Sequence, residues 1–101
     1  MPYVRMFHSA VDPADAEEVR RLFGEDVRPA FDGRAGCLGI ELLVSTESSA
    51  GGLLEGMAVS RWESLESMEE GLGSREVSEA LVRVLQLLRQ EPVTRMYEVL
   101  G

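Results

Sequence analysis

The stretch of residues 3–11 begins with alternating apolar and polar residues, Val4-Arg5-Met6, and stops at Asp12-Pro13. A period of two puts successive side chains on opposite faces, so this stretch predicts a β-strand. Asp12 is then placed to cap a helix with Pro13 in its first turn and Asp15 at its third position. Val19, Leu22, Phe23, Val27 and Ala30 recur at three- and four-residue intervals, one face of that helix. Gly24 weakens its middle. Pro29 is expected to end or kink it, because proline has no N–H for the interior hydrogen bond. Turn chemistry over residues 32–36 leads into a strand over residues 37–46, with Leu38, Ile40, Leu42 and Val44 on one face and Cys37, Gly39, Glu41 and Leu43 on the other. Residues 47–52 read as a hairpin loop and residues 53–62 as an antiparallel return strand. Ser64 caps a short helix carrying Leu65, Met68 and Leu72; Gly71 and Gly73 interrupt it, and Ser74 restarts it. Past the restart, Val77, Ala80, Leu81, Val84, Leu85 and Leu88 form the most regular helical stripe of the chain. Pro92 stops that helix, and residues 93–100 alternate as a last strand.

A βαββαβ order in 101 residues predicts one α+β domain over residues 1–101 with the ferredoxin-like arrangement: a four-stranded antiparallel sheet with both helices on one face. The strands carry apolar residues on both sides, since Leu43 opposes the Leu42 face and Met57 and Val59 oppose the Ala58 face. A bare apolar sheet face is rare on a monomer, so a homodimer is expected, its two sheets meeting face to face or closing into a dimeric α+β barrel.

Charge narrows the partners. Eighteen acidic residues against ten basic ones give a net charge of -8, which repels phosphate backbones and argues against nucleic-acid binding. All ten basic residues are arginine, so lysine Schiff-base chemistry is excluded, and a compositional bias explains the arginines without chemistry. The lone Cys37 excludes an internal disulfide and every multi-cysteine metal pattern, and reads as a small apolar group. No uncharged stretch approaches a membrane span. A reduced, cytoplasmic protein without a membrane partner is the expectation. The glutamates at 63, 66, 69, 70, 76 and 79 spread around a solvated helix, so no metal site is expected. Gly33, Gly36 and Gly39 lie between helix and strand, whereas a phosphate-cradling loop runs from strand to helix.

The return strand holds the best candidate site. Leu54, Gly56, Ala58, Ser60 and Trp62 share one of its faces, mostly small side chains ahead of an indole. Small residues beneath a helix leave volume, and Trp62 would wall that hollow and donate one hydrogen bond. The competing reading makes Trp62 a core plug. His8 is the side chain most nearly poised as a base at neutral pH, although a lone strand histidine is more often structural. Arg95 and Tyr97 share a face of the last strand and suit either an anionic or phenolic substrate or a subunit interface.

The run Gly56-Met57-Ala58-Val59-Ser60-Arg61-Trp62-Glu63-Ser64, with Leu65 and Met68 behind it, resembles the strand-to-helix W-E-S signature of the antibiotic biosynthesis monooxygenase superfamily. Gly36-Cys37-Leu38-Gly39-Ile40-Glu41-Leu42 resembles the same family's PGCLG-x-EL strand, with Ala35 where proline is usual, and Ser74-Arg75-Glu76-Val77 resembles its second-helix restart. The resemblance implies ferredoxin-like dimers that form a barrel. Its quinone-forming members oxidise polycyclic hydroxyaromatics with O₂ and without metal, flavin or haem. Trp62 matches their tryptophan, whereas Ala58 stands where they carry asparagine and Met68 where they carry tyrosine. Haem-degrading members carry a proximal histidine where this chain has Leu81, a second tryptophan where it has Gly71, and an asparagine near Phe7.

The function expected is therefore a cofactor-independent monooxygenase acting on a small hydroxyaromatic or similar apolar metabolite. Trp62 and His8 are the candidate catalytic residues; Ala58, Ser60, Met68, Arg95 and Tyr97 are the candidate substrate contacts. Two alternatives use the same hollow: a non-catalytic dimeric binding module, and an isomerase or cyclase in which His8 is the base.

Overall fold

A computed structural model describes residues 2–47 and 51–101. Strand β1 (Tyr3–Val11) precedes a helical run built from a 3-10 turn (Pro13–Asp15), α1 (Ala16–Leu22), a π turn (Phe23–Val27) and α2 (Arg28–Asp32). Strands β2 (Cys37–Val44) and β3 (Leu54–Trp62) follow, then α3 (Leu65–Leu72), α4 (Arg75–Leu87) and β4 (Val93–Glu98). The sheet order is β2-β3-β1-β4 with every pair antiparallel. This is the ferredoxin-like arrangement expected from the chain. Of the expected hairpin loop over residues 47–52, residues 48–50 lie outside the described residues. Among the described residues, no helix is long and apolar enough to cross a membrane.

Cap chemistry sets the helix starts. Asp12 accepts the Ala14 N–H at 2.8 Å. Ser64 and Ser67 form a reciprocal capping box at the start of α3, and Ser74 accepts the Val77 N–H at the start of α4. Pro29 does not end its helix, which runs on to Asp32. The ladder widens first: the Arg28 N–H reaches back five residues to the Phe23 carbonyl. A helix already out of α register just ahead of a proline loses less to the missing donor.

The alternation in β2 breaks at its start. Cys37 pairs with Trp62 and Gly39 with the next residue back, Arg61, so Leu38 is bulged out of the ladder. Gly39 takes φ +139°, a conformation that side chains disfavour. The bulge reverses the expected faces here: Cys37 packs against the core and Leu38 points to solvent.

The core fills one end of the space between sheet and helices. Phe23, Val27, Phe31, Ile40, Trp62, Met68 and Val77 form a single buried cluster. Trp62 is fully buried, its ring 6.1 Å from that of Phe31 and tilted at 56°. Gly71 of α3 lies against the indole, where any Cβ would collide with the six-membered ring.

Candidate functional site

The rest of that space is a cavity of about 490 Å³, inside the range of small-molecule sites. Its floor is the helix-side face of the sheet. The register sets Arg5 opposite Ser60, Phe7 opposite Ala58 and Ser9 opposite Gly56 on this face. Leu42 extends the floor from β2, and Leu81, Val84 and Leu85 of α4 form a wall. The most regular helical stripe in the sequence thus faces a void over much of its length, with Val77 alone among its residues fully packed. Exposed Glu17, Arg20, Gly24 and Arg28 border the rim along the first helical run.

Three polar side chains reach the floor, and they differ in what they have left to offer. Ser9 donates to the Gln90 carbonyl at 2.8 Å, a bond that ties the segment after α4 to β1. Ser60 is 2% exposed and accepts the Trp62 indole N–H at 2.9 Å. Arg5 stacks its guanidinium 5.7 Å from the Phe7 ring centroid. Among the described residues no carboxylate pairs with Arg5. Burial pushes its guanidinium below the usual arginine value, yet a group so basic keeps its charge at neutral pH. The result is an uncompensated cation in a mostly apolar chamber, a standing attraction for one negative charge.

The sequence candidates divide into three groups. Ala58 and Ser60 line the cavity. Trp62 and Met68 do not border it: both are fully buried in the packed end of the core, and the space behind the indole is filled by Phe31, Met68 and the Gly71 backbone. The hollow is displaced along β3 from where the small-residue pattern put it. His8, Arg95 and Tyr97 belong to the opposite face of the sheet, because strand parity sends them away from Arg5, Phe7 and Ser9. His8 instead borders a shallow hollow with Leu43 and Met57 on that outer face. His8 therefore does not line the cavity that holds Arg5 and Ser60.

Arg5 is the residue that sequence reasoning missed. A uniform arginine bias hid it, but the signal was present: Tyr3, Arg5, Phe7 and Ser9 share the core-facing side of β1, where a charge is unusual. Burial holds the Cys37 thiol above its usual value, largely by desolvation, consistent with an inert apolar role. Among the described residues, no cluster of three His, Cys, Asp or Glu side chains has the arrangement of a metal site.

Residues 2–83 match the family model described as antibiotic biosynthesis monooxygenase. The chain belongs to that family. No curated protein matches it. Solved structures of the same fold include Rv0793 from Mycobacterium tuberculosis, at 21% identity, with 100% of this chain and 97% of that one covered and a TM-score of 0.73. A Caulobacter crescentus protein assigned to the same family aligns at 17% identity over 99% of this chain and 91% of its own, with a TM-score of 0.81. SnoaB, a cofactor-independent oxygenase from Streptomyces nogalater, aligns at 13% identity over 99% and 94% of the two chains, with a TM-score of 0.78. At these identities the structural likeness speaks for the fold of the family, and the chemistry has to be argued from the cavity.

Proposed function

We propose that this chain is a cofactor-independent monooxygenase that binds a small hydroxyaromatic in the cavity as its anion. The observation that carries the proposal is Arg5, an unpaired guanidinium on the floor of a largely apolar chamber. Apolar walls suit a planar ring system, and the cation on the floor favours the ionised form of its hydroxyl or enol. Stabilising that anion is the catalytic step open to the protein, because the electron-rich ring itself reduces O₂. For an anthrone-type substrate, the ring carbon loses a proton to water and then passes one electron to O₂. The resulting radical and superoxide join in a C–O bond, giving a peroxide. Breaking the O–O bond with loss of water leaves a quinone carbonyl, so one oxygen atom enters the ring and the other leaves with the two methylene hydrogens. Substrate acidity raised by Arg5 takes the place of a dedicated base.

The test is oxygen uptake with anthrone under metal-free conditions. The expectation is protein-dependent uptake that falls at least tenfold in Arg5→Gln, equivalent to about 1.4 kcal/mol of lost transition-state stabilisation. Tight binding without protein-dependent uptake would instead identify a binding module.

The proposed partner in solution is a second copy of the chain. Met6, Met57, Val59, Leu43, Val93 and Tyr97 form the outer sheet face, where Tyr97 is 52% exposed and every residue of β4 is exposed. Pairing two such faces removes the apolar surface that a small domain has no element of its own to cover.

A further inference from the structure

We infer that Ser60 donates its hydroxyl proton to the same anionic substrate oxygen that Arg5 neutralises, and that Trp62 is the positioning residue that orients it. The inference rests on the functional reading above and adds a second donor to its site. A serine hydroxyl has one proton and two lone pairs, whereas an indole N–H donates only. The 2.9 Å bond from Trp62 therefore occupies a lone pair of Ser60 and leaves its proton uncommitted. No acceptor takes that proton among the described residues, although Ser60 is 98% buried and borders the cavity. Ser9 is the internal contrast: it also lines the floor, but its proton already goes to the Gln90 carbonyl.

Arg5 and Ser60 are directly opposed across β1 and β3 on the cavity face, a pairing that brings Cβ atoms within about 5.5 Å. Two donors thus stand on facing residues of one strand pair, with no carboxylate paired to Arg5 among the described residues. A neutral phenol that gives its proton to the spare lone pair of Ser60 accepts from Arg5 alone, whereas a phenolate or enolate oxygen accepts from both. The pair selects an oxyanion on a planar apolar frame. A buried hydroxyl held by a donor from behind has little freedom to turn away, which gives the indole a role in the site without touching substrate.

The experiment is a spectrophotometric pH titration of 4-nitro-1-naphthol bound to the intact protein, since its naphtholate is coloured. In the wild type the bound hydroxyl should ionise at lower pH than in free solution. Arg5→Gln should raise the bound value by about two units, a hundredfold in the ionisation constant. Ser60→Ala should raise it by about one unit, tenfold, with the probe still bound. Trp62→Phe should raise it by a smaller amount, and adding Trp62→Phe to Ser60→Ala should raise it no further, because the indole acts only through the hydroxyl. If Trp62→Phe does not fold, Ser60→Ala and its hydroxyl-retaining counterpart Ser60→Thr decide alone: Thr should restore the wild-type value. A Ser60→Ala value equal to wild type, with Arg5→Gln still shifted, overturns the inference and leaves the functional reading standing. Failure of the wild type to bind the probe or lower its ionisation overturns the functional reading itself.

Discussion

Arg5 and Trp62 exchange the roles that a linear reading assigns them. The tryptophan sits in the segment that resembles a catalytic signature, yet it is fully buried and its N–H is spent on Ser60. The arginine sits in no motif, yet it carries a charge with no paired carboxylate onto the cavity floor. Composition disguised the place of the arginine, and residue parity along β1 would have exposed it. The small residues of β3 gave a true indication of empty volume, but not of its position, because Phe31 and Met68 arrive from other elements to fill the space beside the indole. Gly71 is part of that packing. Gly71→Ala places a methyl group inside the indole ring, so a loss of about 1–3 kcal/mol of stability is expected from overpacking. Denaturant unfolding would show it; an unchanged midpoint would mean that the indole moves aside freely.

At the scale of elements, the hydrophobic periods and caps were sufficient to order two helical regions and four strands. Their boundaries fall within a few residues of those predicted, with β2 and β4 each ending two residues earlier. Two departures have local causes that periodicity does not encode. One extra residue at Leu38 inverts the faces at the start of β2, and a π turn carries the first helical run past Pro29. That turn also supplies Phe23, Gly24 and Val27 to the cavity, in keeping with the tendency of π turns to occur where a helix shapes a site. The short helix α3 depends more on its ends. Ser64 accepts the Ser67 N–H at 3.1 Å and the Ser67 hydroxyl accepts the Ser64 N–H at 3.2 Å. Ser64→Ala should cost about 1 kcal/mol, read as a lower unfolding midpoint with an unchanged denaturant slope. No shift in the midpoint would show the cap to be redundant.

For the whole molecule, the two sheet faces divide the work. The helix side encloses a chamber whose apolar wall is the inner stripe of α4, and the outer side presents Leu43, Met57, Val93 and Tyr97. Sedimentation at micromolar concentration should give twice the 11.1 kDa mass of the chain; a species of 11.1 kDa would contradict the proposed pairing of outer faces. Amphipathic strands made both faces legible, and the small residues of β3 marked the helix side as the one with space. The direct test of the chamber is two-dimensional 1H–15N NMR of the protein titrated with anthrone. Binding on the inner face predicts saturable shifts at Arg5, Phe7, Ala58, Ser60 and Leu81, with His8, Met57 and Tyr97 moving least. The opposite pattern, with shifts concentrated at His8, Met57 and Tyr97, would contradict the account and put the ligand on the other side of the sheet.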